Sequence, residues 1–206
     1  MRDVRPLLIA GALLMALAAE IGAPSARAAE PDPAASQIGA FDRSLVEVMK
    51  AGPALGPRDR YRKLTPVIQR AFDLPVMTRF AVGPAWAQMS EADHQSLIEA
   101  FTRLSAASYA HNFDHFSGER FDVDPKSEVR GGDRIVQSHL VPEHGAPVSL
   151  TYRMRLSGGG WKIIDVYYGA ISQLTTRRSD FAAPLASGGA KGLVSHLDAL
   201  TDKLLK

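Results

Sequence analysis

From Arg120 onward the hydrophobic period of this chain changes from 3.6 to 2, and back again after Ile171, which limits the fold more than any other feature. Through "VSLTYRMRL" the alternation is unbroken: Val148, Leu150, Tyr152, Met154 and Leu156 face one way, Ser149, Thr151, Arg153 and Arg155 the other. That period belongs to a strand with one buried face and one wet face. "DRIVQSHLVP", "APVSLTYRMRL" and "WKIIDVYY" are separated by "EHG" and "SGGG", so they predict three strands in an antiparallel meander, with "RFDVDP" as a fourth. The segment from Trp161 differs, because Ile163 and Ile164 point to opposite sides and both sides carry bulk, as expected of a central strand.

The flanking segments carry helical spacing. Ile38, Phe41, Leu45 and Val48 recur every three or four residues, and "AGPALGP" ends that run. A second helix is predicted from Arg58 to Phe72, with Pro66 as an interior irregularity. A third, short one starts at Pro75 and is interrupted by Gly83-Pro84. Ser90 and Asp93 form a capping-box pair ahead of a long helix bearing Leu97, Phe101, Leu104 and Ser108, expected to stop near Ser117-Gly118. After Ile171, "SQLTTRRSDFAAPLA" and "GLVSHLDALTDKLL" are two helical stretches divided by Gly188-Gly189. The expected class is α+β: an antiparallel sheet of about four strands packed on helices.

At the N-terminus, Arg2 and Arg5 precede the apolar run Leu7–Ala19, and "ARA" ends at Ala28. A run of about 13 apolar residues is too short to span a bilayer and fits a cleavable signal. The expected organisation is a signal peptide at 1–28, a disordered Pro/Ala-rich lead-in at 29–37, and one exported domain at 38–206. Cysteine is absent, so disulfides, lipoprotein acylation and thiolate metal sites are excluded. Three of the 24 basic and two of the 22 acidic residues fall in the signal, so the remainder is nearly neutral and carries no electrostatic footprint for nucleic acid.

Candidate chemistry is sparse. His111 and His115 are four apart and could share a helix face with a metal, but a solvated or capping role is favoured, and Asp122 and Asp124 form only a weak calcium pattern. No catalytic set, metal site or cofactor is expected. One alternative is a cone-shaped isomerase with Asp165 as general base and Tyr152 or Tyr167 as oxyanion donors, although Asp165 is equally suited to bonding backbone N–H groups. Another is a ligand-free adaptor that docks through the basic "PRDRYRK".

"FDLPVMTRFAVGPAWAQM", "ASYAHNFDHFSGERF", "WKIIDVYYGAISQLTTRRSDF" and "GGAKGLVSHLDAL" together resemble the MlaC, or toluene-tolerance, family of periplasmic lipid carriers. The phrase "GAISQLTTRRSDF" is most similar to its hopanoid-associated subgroup, HpnM. The resemblance runs from Ile38 to Leu205. It implies that the antiparallel sheet is curved, with an apolar cavity between sheet and helices. It also implies a soluble, monomeric periplasmic shuttle without catalysis that carries a hopanoid or phospholipid between inner- and outer-membrane components, maintaining membrane asymmetry and exchanging with membrane-bound MCE-domain or transporter complexes. The lipid-lining positions it implies are Phe80, Trp86, Phe101, Tyr109 and Phe113 on the helical side. On the strands they are Leu150, Tyr152, Met154, Ile164, Val166 and Tyr168.

Overall fold

The structure, a computed structural model, describes residues 32–206. The expected signal peptide and its cleavage after Ala28 lie outside the described residues. Five helices, α1 (Pro33–Ala51), α2 (Pro57–Ala71), α3 (Leu74–Val82), α4 (Glu91–Asn112) and α5 (Gln173–Leu204), which is broken at Gly189 (φ 59°, ψ −152°) where the sequence divides two helical stretches, pack against a six-stranded antiparallel sheet. The strands are β1 (Arg120–Val123), β2 (Glu128–Arg130), β3 (Asp133–Val141), β4 (Val148–Ser157), β5 (Gly160–Tyr168) and β6 (Ile171–Ser172). Their order is β1-β3-β4-β5-β6, with β2 pairing the other end of β3. The four expected strands are β1, β3, β4 and β5; β2 and β6 are two or three residues long, too short to show any period.

Several boundaries differ from the sequence reading for physical reasons. The expected disordered lead-in is helical from Pro33: Asp32 accepts hydrogen bonds from the N–H groups of Ala34 and Ala35, Pro33 sits at the first helical position, and Ala34 is fully buried. An N-cap aspartate followed by proline starts a helix, and here its Pro/Ala composition resembled a linker. Helix α2 continues through Pro66, held by the fully buried Leu64 and Ile68 on either side. Helix α4 ends at Asn112 rather than near Ser117, because Phe113 leaves helical geometry (φ −116°, ψ 58°) while its ring stacks on Tyr109 at 5.6 Å. Only the first of the two histidines is therefore helical. The capping box at Ser90 and Asp93 forms as expected.

The β4–β5 hairpin turns at Gly158 and Gly159, both with positive φ (59° and 81°), the conformation a two-residue primed turn needs. Beyond it the pairing shifts register: Met154 faces Ile163, Arg153 faces Asp165, and Ile164 is the extra residue of a β-bulge. Both isoleucines are buried because of this bulge, and β5 is an interior strand, as expected. One edge pairs with β4; the other is covered by β6 and by Phe72, which bridges to Ile163, while the Asp73 N–H donates to the Ile163 carbonyl at 2.9 Å.

Ile38 and Leu45 of α1, Leu97 and Leu104 of α4, and Leu193 and Leu197 of α5 are buried against the inner sheet residues Val136, Tyr152, Met154 and Ile163. Each such side chain contributes about 1.5–3 kcal/mol on burial. On the opposite face, Asp133 is 3% exposed and gathers Arg153 and Arg155 at 2.6 and 2.7 Å; the Arg155 hydrogen bond leads in holding its carboxyl below the usual carboxylate range.

Candidate lipid-sized cleft

Between the inner face of the sheet and α4 lies a cleft of about 540 Å³. Its floor is Leu140, Leu150, Tyr152, Val166 and Tyr168, and two of the cross-strand pairs of β4 and β5 (Leu150 with Tyr168, Tyr152 with Val166) supply most of it. The bulge at Ile164 sets this arrangement, placing Ile163, Val166 and Tyr168 opposite Met154, Tyr152 and Leu150. The helical wall is Phe101, Leu104, Ser105, Ser108, Tyr109 and Asn112, positions three, four or seven apart on one side of α4. Phe72, Met77 and Phe113 add apolar surface, and Gln173, Leu174 and Arg177 line it from the start of α5.

The base is an aromatic cluster. Phe41 meets Phe72, Tyr109 and Tyr152 edge to face, with centroids 5.4, 5.5 and 6.3 Å apart. Such pairs add about 0.5–1.5 kcal/mol each beyond their area, so this end is rigid. Behind the floor, Asp42 of α1 is 2% exposed and accepts hydrogen bonds from the Ser138 hydroxyl at 3.0 Å and the Tyr152 hydroxyl at 3.2 Å. Burial dominates and pushes the Asp42 carboxyl up to about 7. Burial also pushes the Tyr109 and Tyr152 phenols above their ordinary value. No sequence pattern marked Asp42; it occupies the position after Phe41 on a face that is otherwise apolar.

Of the sequence-expected positions, Phe101, Tyr109, Phe113, Leu150, Tyr152, Val166 and Tyr168 come together around the cleft. The other four lie elsewhere. Met154 is fully buried in the core, and Ile164 is the bulge residue, outside the main core cluster. Trp86 stacks on His94 at 3.9 Å, and Phe80 is 51% exposed beneath the Arg178 guanidinium. Sequence reasoning missed Phe72, Met77, Leu104 and Leu140, which helical and strand periods place on inner faces but not at a cavity. It also missed Asn112, Gln173 and Arg177, which no local pattern distinguishes from solvated residues.

The competing sites have other occupations. Asp165 accepts hydrogen bonds from the Val166 N–H at 2.8 Å, the Leu174 N–H at 3.1 Å and the Ser172 hydroxyl at 2.6 Å, securing the first turn of α5. Asp165→Asn is expected to lower stability by about 1–2 kcal/mol, since it removes the charge that strengthens these three hydrogen bonds and leaves one acceptor oxygen where two served; urea unfolding checks this. His115 pairs with Asp114 at 2.7 Å and Asp122 with Arg120 at 3.2 Å. Among the described residues no group of three or more potential ligands could hold a metal ion, and no helix is long and apolar enough to cross a membrane. Within the basic segment, Arg60 turns inward to donate to the Ala110 carbonyl at 2.9 Å, and Arg62 pairs with Asp59.

A family model described as "MlaC protein" matches residues 40–199. Among solved structures, a phospholipid-binding protein from Ralstonia solanacearum, in complex with a phospholipid, is similar with a TM-score of 0.73. The two share 24% sequence identity over 85% of this chain and 100% of that one, a likeness of fold.

Proposed function

Since this chain belongs to the MlaC family, we propose that it is a periplasmic lipid carrier whose cleft shelters the hydrocarbon of one lipid and transforms nothing. The observation that carries this reading is the cleft itself: an apolar floor built by paired strands, a rigid aromatic base, and an opening flanked by helices. Its volume of about 540 Å³ lies within the usual range of ligand sites. Withdrawing hydrocarbon from a bilayer costs about 0.8 kcal/mol per methylene, so a single chain of about 16 carbons costs roughly 12 kcal/mol unaided. An apolar space offsets that cost without any reacting group. Asp165, the one candidate base, is engaged in holding α5 to β5 and is not among the cleft-lining residues.

The finer reading follows the HpnM-like motif: export through a cleaved signal peptide, a hopanoid or phospholipid as cargo, exchange with membrane-bound MCE-domain or transporter complexes, and action as a monomer between the two membranes. Organic extraction and mass spectrometry of protein exported from its native host tests it. About one lipid per protein is expected, and an empty protein would overturn the carrier reading. Hopanoids in the extract would support the subgroup; phospholipids alone would leave the family-level function.

A further inference from the structure

The cleft is not uniformly apolar. Ser105, Ser108 and Asn112 run along α4 at spacings of three and four, and Gln173 and Arg177 lie one turn apart on α5; all five line the cleft. The Ser105 hydroxyl already donates to the Phe101 carbonyl at 2.8 Å; the other four are donors held in reserve. Among the described residues, the Ser108 hydroxyl and the Asn112 amide make no hydrogen bond, and the Gln173 amide reaches only the Ile171 carbonyl at 3.4 Å. The half-buried Arg177 guanidinium has a single ion-pair partner, Asp180, at 3.7 Å on its own helix. Arg177 is also the one charged side chain in the lining, which contains no carboxylate.

We propose that these polar residues form a headgroup subsite, in which Arg177, with Asn112 and Gln173 in the same lining, binds the phosphodiester of a lipid whose headgroup is net negative. The assignment rests on the lipid-carrier reading of the same cleft and narrows its cargo to anionic phospholipid. A half-buried guanidinium gains more from an anion than an exposed one, and charge-assisted hydrogen bonds are roughly twice as strong as neutral ones. A zwitterionic headgroup brings an ammonium for which the lining has no acid, and a neutral polycyclic lipid leaves the arginine unpaired. A free phosphate offers the same oxygens without hydrocarbon to hold it at so open a position.

Lipid-stripped protein equilibrated with vesicles of equal parts phosphatidylcholine, phosphatidylethanolamine and phosphatidylglycerol, then re-isolated and extracted, tests the subsite. Wild type is expected to hold phosphatidylglycerol in a ratio to the other two lipids about three- to tenfold above the vesicle ratio, a preference weakened by about 0.5 M NaCl. Arg177→Gln should return the bound mixture to the vesicle ratio with total lipid within about twofold of wild type, Asn112→Ala should reduce the preference partly, and Arg177→Lys should retain part of it. A vesicle-like ratio in wild type, or an undiminished preference in Arg177→Gln, would overturn the subsite while leaving the carrier. Lipid absent from every sample would overturn the carrier reading and the subsite with it. Saturable binding of glycerol 3-phosphate to the stripped protein would overturn the lipid assignment in favour of a free-phosphate site.

Discussion

Raising the pH from about 5 to about 8 is expected to cost this protein roughly 2–3 kcal/mol of stability, with Asp42 responsible for most of it. The carboxyl is raised from 3.8 to about 7 in the folded state, first by burial, which the Ser138 and Tyr152 hydrogen bonds and the neighbouring Arg43 only partly offset. A raised carboxyl favours the proton-bound, folded form. Its contribution is fully present below the unfolded value of 3.8 and is lost as pH rises through about 7. The carboxyls of Asp32 and Asp133 are lowered, so their contributions are present above the ordinary carboxylate value and fade only below it, outside this window. His94, raised first by its hydrogen bond to the Trp86 carbonyl, and His115, raised first by Asp114, act in the same direction as Asp42 at the surface, so a small slope should survive without it. Urea unfolding at several pH values checks this: Asp42→Asn should remove more than half of the slope. An equal slope in the variant would mean that Asp42 is already ionised in the fold.

Val166→Trp and Met154→Trp should separate cleft from core by opposite signatures. Val166 lines the cleft opposite Tyr152, so an indole there has open volume to occupy. Bound lipid per protein should fall at least about fivefold, while stability changes by less than about 1 kcal/mol. Met154 is fully buried opposite Ile163 and is not among the residues that line the cleft. The same residue there must displace packed neighbours, which costs about 1–3 kcal/mol, and the fraction that still folds should keep its lipid. Paired measurements of lipid content and urea midpoint read both outcomes. Lipid loss in Met154→Trp with unchanged stability would move the cleft deeper than the structure places it.

The contrast between those two residues also marks how far the sequence could be read. Met154 and Tyr152 lie on the same face of one strand and alternate identically, yet one is sealed in the core and the other opens onto the cleft. Alternation reports which side of a sheet a residue takes, not how far the opposite layer stands away. The lining positions on α4 have the same origin: Phe101, Ser108, Tyr109 and Phe113 were legible as one helix face, but nothing in the sequence set Asn112 apart as part of a cleft.

By itself the sequence determined the types of the longer elements, the antiparallel hairpin at Gly158-Gly159, the inner and outer faces of β4, and, through its ordered motifs, the family. These are local: dihedral preferences, turn glycines and hydrophobic period act over a few residues. Tertiary structure alone decided the bulge that brings Val166 and Tyr168 beside the cleft, the burial of Asp42 behind Tyr152, and the placing of Arg177 in one lining with residues of α4. No local pattern encodes these, because the energies that fix them, packing volume, desolvation and register, exist only once the layers have come together.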